Sequence, residues 1–187
     1  MQTQVIKPTR YSKHGHKLLE PLPDDAKFKD GMANGTFKKT KHRGYPVLIY
    51  ATAIRGGEAL RCTPEQFTIL SDKVIFEVGK RLKHGIVTPP LVIPLDFPFM
   101  ADLIEAIETT APGERVFPYC RKTGYNIIDR AFGFYPHFFR LSRITNFFLA
   151  GWSIAQVHSW TGLTLKALDY YLGLVEVDKM GMSLTKK

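Results

Sequence analysis

Apolar residues are thin and unpatterned over the first 43 positions and dense from Tyr45 onward. The N-terminal stretch is broken by H-G-H, P-L-P-D-D, D-G-M-A-N-G and K-K-T-K-H-R, so Gly, Pro and charge dominate it. Such a segment presents no continuous apolar face, and it predicts an arm and loops with one short helix. The pattern changes at Y-P-V-L-I-Y-A-T-A-I, a continuous apolar run that stops at Arg55. Pro46 suits a first helical turn, which favours a buried helix over a strand. T-P-E-Q-F-T-I-L, K-V-I-F-E-V and I-V-T-P-P-L-V-I-P-L follow. The middle stretch is β-branched and aromatic, as strands require, whereas the prolines of the last confine it to an edge. G-K-R-L-K-H-G between these two reads as a hairpin-like connection. Asp96 is then placed to cap a helix with Pro98 in its first turn, running through F-M-A-D-L-I-E-A-I-E and stopping before Pro112. Further helices are predicted over 122–132, 137–150, 153–160 and 164–173.

This order is helix, small antiparallel sheet, then many helices. It predicts an α+β, mainly α domain and not alternating βαβ units. The chain divides into a basic N-terminal arm over 1–43, a globular unit over 44–175 and a C-terminal tail over 176–187.

Composition narrows the function. A chain of 187 residues with 44% apolar and 12% aromatic content has material for one well-filled core. It holds no run of 18 uncharged apolar residues and no N-terminal apolar stretch of signal-peptide type, so no ordinary transmembrane helix is expected. Basic residues outnumber acidic ones 26 to 17, a formal charge of +9, which favours a polyanionic partner with nucleic acid first among candidates. Cys62 and Cys120 are too few for a disulfide scaffold and sit in no metal-ligand pattern, so the chain reads as intracellular.

Two segments carry candidate chemistry. In Y-P-H-F-F-R-L-S-R-I-T-N-F-F-L-A-G, Leu141, Ile144 and Phe148 form one apolar stripe at helical spacing, with His137 in its middle and Arg140 at its side. A cation on the core side of a helix is costly unless paired. His137 and Arg140, at i and i+3, can converge on one ligand, or Arg140 can pair with a buried carboxylate such as Glu58. Arg143 points well away and is expected to be solvated. The second segment, A-I-R-G-G-E-A-L-R, ends an apolar helix with Arg55 beside two glycines, which permit another backbone to approach closely or simply cap the helix.

These segments together resemble the catalytic domain of the tyrosine recombinase (phage integrase) family over about residues 44–175. A-I-R-G-G-E-A-L is similar to the family's T-G-x-R-x-x-E-x-L box. P-H-F-F-R…T-N-F-F-L-A-G is similar to its H-x-L-R-H-T-x-A-x-x-L-x-x-A-G box, with Ala150 and Gly151 in register. V-G-K lies in a hairpin and a tyrosine follows near the C-terminus, in the family's order. The resemblance implies a helical catalytic domain with a small antiparallel sheet. It implies a site-specific recombinase or integrase, of a mobile element or virus, that cuts and rejoins double-stranded DNA as a homotetramer. It makes Arg55 and Arg140 the phosphate-binding arginines, His137 the histidine of the H-x-x-R motif, Lys80 the general acid and Tyr171 the nucleophile. Lys83 is the alternative to Lys80, and Tyr170 the alternative to Tyr171. The remaining cations near these segments, Arg61, Arg81, Lys83 and Arg143, are expected on DNA phosphates. Leu163 stands where the family has His or Trp, and His158 or Trp160 are the candidates to replace that group.

The residue types suit the chemistry. A phenol with a free pKa of about 10 needs activation to attack phosphorus. Two arginines offer planar, permanently charged forks to the equatorial oxygens. A hairpin lysine can protonate the departing 5′ oxygen. No metal and no cofactor is implied, because the phosphotyrosyl bond conserves the energy of the broken strand. Two further readings remain. One is a catalytically impaired integrase-like domain that only binds DNA, suggested by Leu163 and the shifted tyrosine. The other is a basic RNA-binding protein, supported by charge but lacking an aromatic RNA-binding signature.

Overall fold

The computed structural model describes residues 25–39, 41–79, 89–169 and 171–172. The helix expected inside the N-terminal stretch is α1, Asp25–Asn34. It is no appendage, because Phe28 and Met32 are fully buried. The Phe28 ring stacks on Tyr50 at 4.2 Å and on Phe132 at 6.0 Å, and meets Phe139 edge-on at 5.8 Å. One side chain thereby ties α1 to three other helices, and burial of such a ring contributes about 2–3 kcal/mol.

The apolar run forms α2, Lys41–Thr52. It starts four residues before Tyr45, so Pro46 lies inside the helix and not in its first turn. The residues from Tyr45 to Ile54 are all buried, as expected of a helix with no polar face. α2 is the central element, packed on α4 and α6. At Gly44 it meets α4 so closely that a Cβ would lie 2.8 Å from the Asp102 carbonyl oxygen.

After the four-residue α3, Gly56–Ala59, and a 3₁₀ turn at Pro64–Gln66, three strands form an antiparallel sheet in the order β1-β2-β3. They are β1 Phe67–Ile69, β2 Lys73–Phe76 and β3 Leu91–Pro94. Phe67 pairs with Phe76, and Ile75 with Val92, so Phe67, Val74, Phe76, Leu91 and Ile93 share the buried face. β3 is the edge strand that its prolines required.

α4, Met100–Glu108, begins later than Asp96 predicted: its N-cap is Phe99, at φ 64°. Turns closed by Phe97 N–H to Pro94 O and Met100 N–H to Phe97 O reverse the chain out of β3 before the helix starts. α5, Arg121–Phe132, α6, Pro136–Leu149, and α7, Ile154–Thr161, fall where periodicity placed them, and residues 165–169 and 171–172 are helical. The α+β, mainly helical class is therefore the observed one. Among the described residues no helix is long and apolar enough to cross a membrane.

Candidate active site

The chain leaves α2 through Ala53, whose φ of 56° is left-handed. That conformation costs an alanine about 1–2 kcal/mol. It directs the Ala53 carbonyl to Arg140 of α6. Nη1 of Arg140 donates to that carbonyl, and Nη2 donates to the Thr161 carbonyl at 3.3 Å. Both acceptors lie at helix C-termini, those of α2 and α7, where the backbone partial charge is negative. Arg140 is only 2% exposed. A buried guanidinium needs such acceptors to offset its lost hydration.

Two residues past Ala53, Arg55 opens α3. The Arg55 amide donates to the Glu58 carboxylate at 2.9 Å, and Nη1 pairs with the same carboxylate at 3.0 Å. The amide contact is the return arm of a capping box. Glu58, weighed as a buried partner for Arg140, thus holds Arg55. The Arg55 side chain remains 56% exposed, so this arginine faces solvent while Arg140 is anchored inside.

His137 is the second residue of α6, where the helix emerges from the core. It is exposed and not embedded in an apolar stripe, whereas Phe138 to Ser142 are all buried. Crowding of the ring lowers its pKa below the ordinary histidine value, and the charges of Arg140 and then Arg55 lower it further. The lowered pKa favours the neutral imidazole. Gly56, next to Arg55, lies close to Pro136, next to His137: a Cβ on the glycine would be 3.4 Å from that of the proline. An accessible arginine near an imidazole can offer hydrogen bonds to an oxyanion.

Tyr171 lies on the helical segment after Gly162 and is 6% exposed, within the hydrophobic core. The core side of this segment is Leu168 with Tyr171. Leu165 is 58% exposed. Leu163 is buried, and its carbonyl accepts from Nδ1 of His158. Trp160 donates to the Thr52 carbonyl at 3.1 Å and meets Trp152 edge-on at 5.6 Å, as a core residue.

Arg61 is exposed in the turn after α3. Arg143 is not the solvated residue expected. Its guanidinium lies 5.1 Å from the Phe147 ring, 5.6 Å from Phe97 and 5.7 Å from Tyr50, and Nη1 is 3.9 Å from the Asp25 carboxylate. Tyr50 of α2, Phe97 of the turn after β3 and Phe147 of α6 form this aromatic box, which α6 periodicity alone could not reveal. Lys80, Arg81, Lys83 and Tyr170 lie outside the described residues. The acceptors Ala53 and Thr161 were missed in the sequence, because every residue carries the same carbonyl.

No protein-family model matches the sequence, and no curated protein does. Among solved structures, the fold is similar to XerH site-specific recombinase bound to its difH substrate in a pre-cleavage complex, at TM-score 0.63 and 15% identity, over 87% of this chain and 56% of that one. It is similar also to XerH in a post-cleavage complex with palindromic difH, at TM-score 0.67 and 15% identity, over 88% and 53%. This chain thus spans about half the length of those recombinase chains. The likeness is one of architecture: the chain has a tyrosine recombinase-like fold.

Proposed function

We propose that this chain is the catalytic region of a tyrosine-type, site-specific DNA recombinase that acts on duplex DNA without a metal. The observation that supports the reading is the close approach of Gly56, next to Arg55, to Pro136, next to His137, with Arg140 three residues on in the same helix, in the order of the family's boxes and within a similar fold. In the proposed reaction the Tyr171 hydroxyl gives up its proton to solvent as its oxygen attacks a DNA phosphorus. The bond to the 5′ oxygen breaks, and that oxygen leaves with a proton from Lys80. A 3′-phosphotyrosyl link remains, and attack by a 5′ hydroxyl reverses the step. Arg55 and Arg140 offset the extra negative charge on the equatorial oxygens, and neutral His137 supplies a hydrogen bond to one of them. Arg61, Arg81 and Lys83 contact flanking phosphates. Strand exchange of this kind pairs two DNA sites, so the working species is a tetramer on DNA, as in the integration of a mobile element.

The burial of Tyr171 has a consequence for this mechanism. The phenol must emerge from the core to meet a phosphate, so DNA binding has to move the segment that carries it. The same burial, with apolar Leu163, favours a second reading, a DNA-binding domain of this fold with impaired chemistry. A suicide duplex, nicked so that the cleaved end diffuses away, separates the two. The first reading expects a covalent adduct that is sensitive to protease, lost in Tyr171→Phe and retained in Tyr170→Phe. DNA binding without an adduct, in a chain extended to the length of the recombinases it resembles, supports the second.

A further inference from the structure

The phenol of Tyr45 lies at a junction that the proposed site does not otherwise explain. Tyr45 is on α2, is 1% exposed, and sets its ring edge-on to Phe117 at 5.6 Å. Its hydroxyl donates to the Gly56 carbonyl at 3.4 Å. A Cβ at Gly56 would lie 2.8 Å from this hydroxyl oxygen and 3.4 Å from Cβ of Pro136. A Cβ at Gly124 would lie 2.9 Å from the same oxygen. The oxygen therefore fills the space that side chains on α3 and α5 would occupy. Gly56 directly follows Arg55, and Pro136 directly precedes His137. The two carriers of the site meet across Gly56, with Tyr45 beneath it.

We propose that the Tyr45 hydroxyl is a spacer that sets the stand-off of α3 from α6, and hence of Arg55 from His137. Tyr45 is then a positioning residue of the site. This inference rests on the reading of Arg55 and His137 as one phosphate site, but its central test needs no DNA chemistry.

The two glycines differ in a way that makes the spacer role specific. At Gly56 the third-nearest atom to the added Cβ is Cδ1 of Ile49 at 3.7 Å, so the phenol ring carbons are no nearer than that. Removing the hydroxyl alone would leave ordinary contact there. At Gly124, Cζ of Tyr45 and Cδ1 of Leu60 each lie at 3.2 Å, so the crowding persists without the hydroxyl. Tyr45→Phe should accordingly rescue Gly56→Ala and fail to rescue Gly124→Ala.

The test is NMR titration of the His137 imidazole in the full chain, its signal assigned by disappearance in His137→Gln. Arg55→Gln should raise the His137 pKa by removing a repelling charge, which calibrates the probe. Gly56→Ala drives the new methyl against the Tyr45 hydroxyl and displaces Arg55 from its place near His137, so it should raise the pKa in the same direction. Tyr45→Phe combined with Gly56→Ala should return it toward the wild-type value, and Tyr45→Phe combined with Gly124→Ala should leave the Gly124→Ala behaviour unchanged. Single-turnover cleavage of the suicide duplex should follow the same order, with Gly56→Ala slower by about 10- to 100-fold. An unmoved His137 in Gly56→Ala, or equal rescue of both glycine variants by Tyr45→Phe, overturns the spacer role. Allele-specific rescue in the titration, without any cleavage by the wild type in a chain extended to the length of the recombinases it resembles, would keep the spacer and reject the enzyme reading.

Discussion

The buried guanidinium of Arg140 donates to the carbonyl of Ala53, 87 residues earlier in the chain, and so ties the middle of α6 to the turn that launches Arg55. The bond joins stability to site geometry. Ala53 must hold a left-handed backbone to present its oxygen, and Arg140 must stay inside to donate to it.

This division of labour predicts different costs for the two arginines. Arg140→Met removes donors from two carbonyls, so urea unfolding should show a loss of about 2–4 kcal/mol. Arg55→Ala removes an exposed side chain and should change stability by less than about 1 kcal/mol, while adduct formation falls to background. Equal destabilisation by both substitutions would count against the anchored and accessible roles.

Ala53 should tolerate only substitutions compatible with its backbone. Ala53→Gly relieves the left-handed strain but loosens the unfolded chain, so stability should stay within about 1 kcal/mol of wild type. Ala53→Val adds a β-branched side chain at a fully buried, left-handed position and should cost about 2–3 kcal/mol. Urea midpoints measured side by side test the pair.

Stability should fall in mild acid. His137 and His42 both have pKa values below the ordinary 6.5. Lost hydration of the ring leads in both, with Arg140 and Arg55 adding for His137, and Lys39, Lys38 and Arg130 for His42. The unfolded chain therefore takes up these protons at higher pH than the folded one. Their contribution is intact above about pH 6.5 and is lost as pH drops through the folded values. Unfolding midpoints at pH 7.5, 6 and 5 should decline, and His42→Gln should flatten that decline.

Arg143 and Arg61 separate core from surface cations. Arg143→Gln removes a guanidinium packed among Tyr50, Phe97 and Phe147 and should cost about 1–2 kcal/mol of stability, with the salt slope of duplex binding unchanged. Arg61→Gln should leave stability near wild type and reduce that slope by about one counterion. A reduced slope for Arg143→Gln would return it to the DNA-contacting surface.

The sequence by itself determined the helices α2, α5, α6 and α7, the existence of α4, the edge position of β3 and the mainly helical class. Each rests on local pattern: apolar runs, β-branched stretches and proline, whose effects act within a few residues. The R-G-G-E and H-F-F-R segments were legible for the same reason, as unusual cations on apolar helices. Other features only the tertiary structure decided. Asp96 lost its capping role to Phe99 because the chain must first turn out of β3. Arg143 became a half-buried cation because rings of α2, α6 and the turn after β3 converge on it. His137 came to the surface because it stands in the first turn of α6, before the buried run from Phe138 to Ser142. The hold of Ala53 and Thr161 on Arg140, and of Tyr45 on Gly56, depends on backbone carbonyls and absent side chains. Those are the same for every residue of their type, and only the packing of helices distant in sequence brings them into contact.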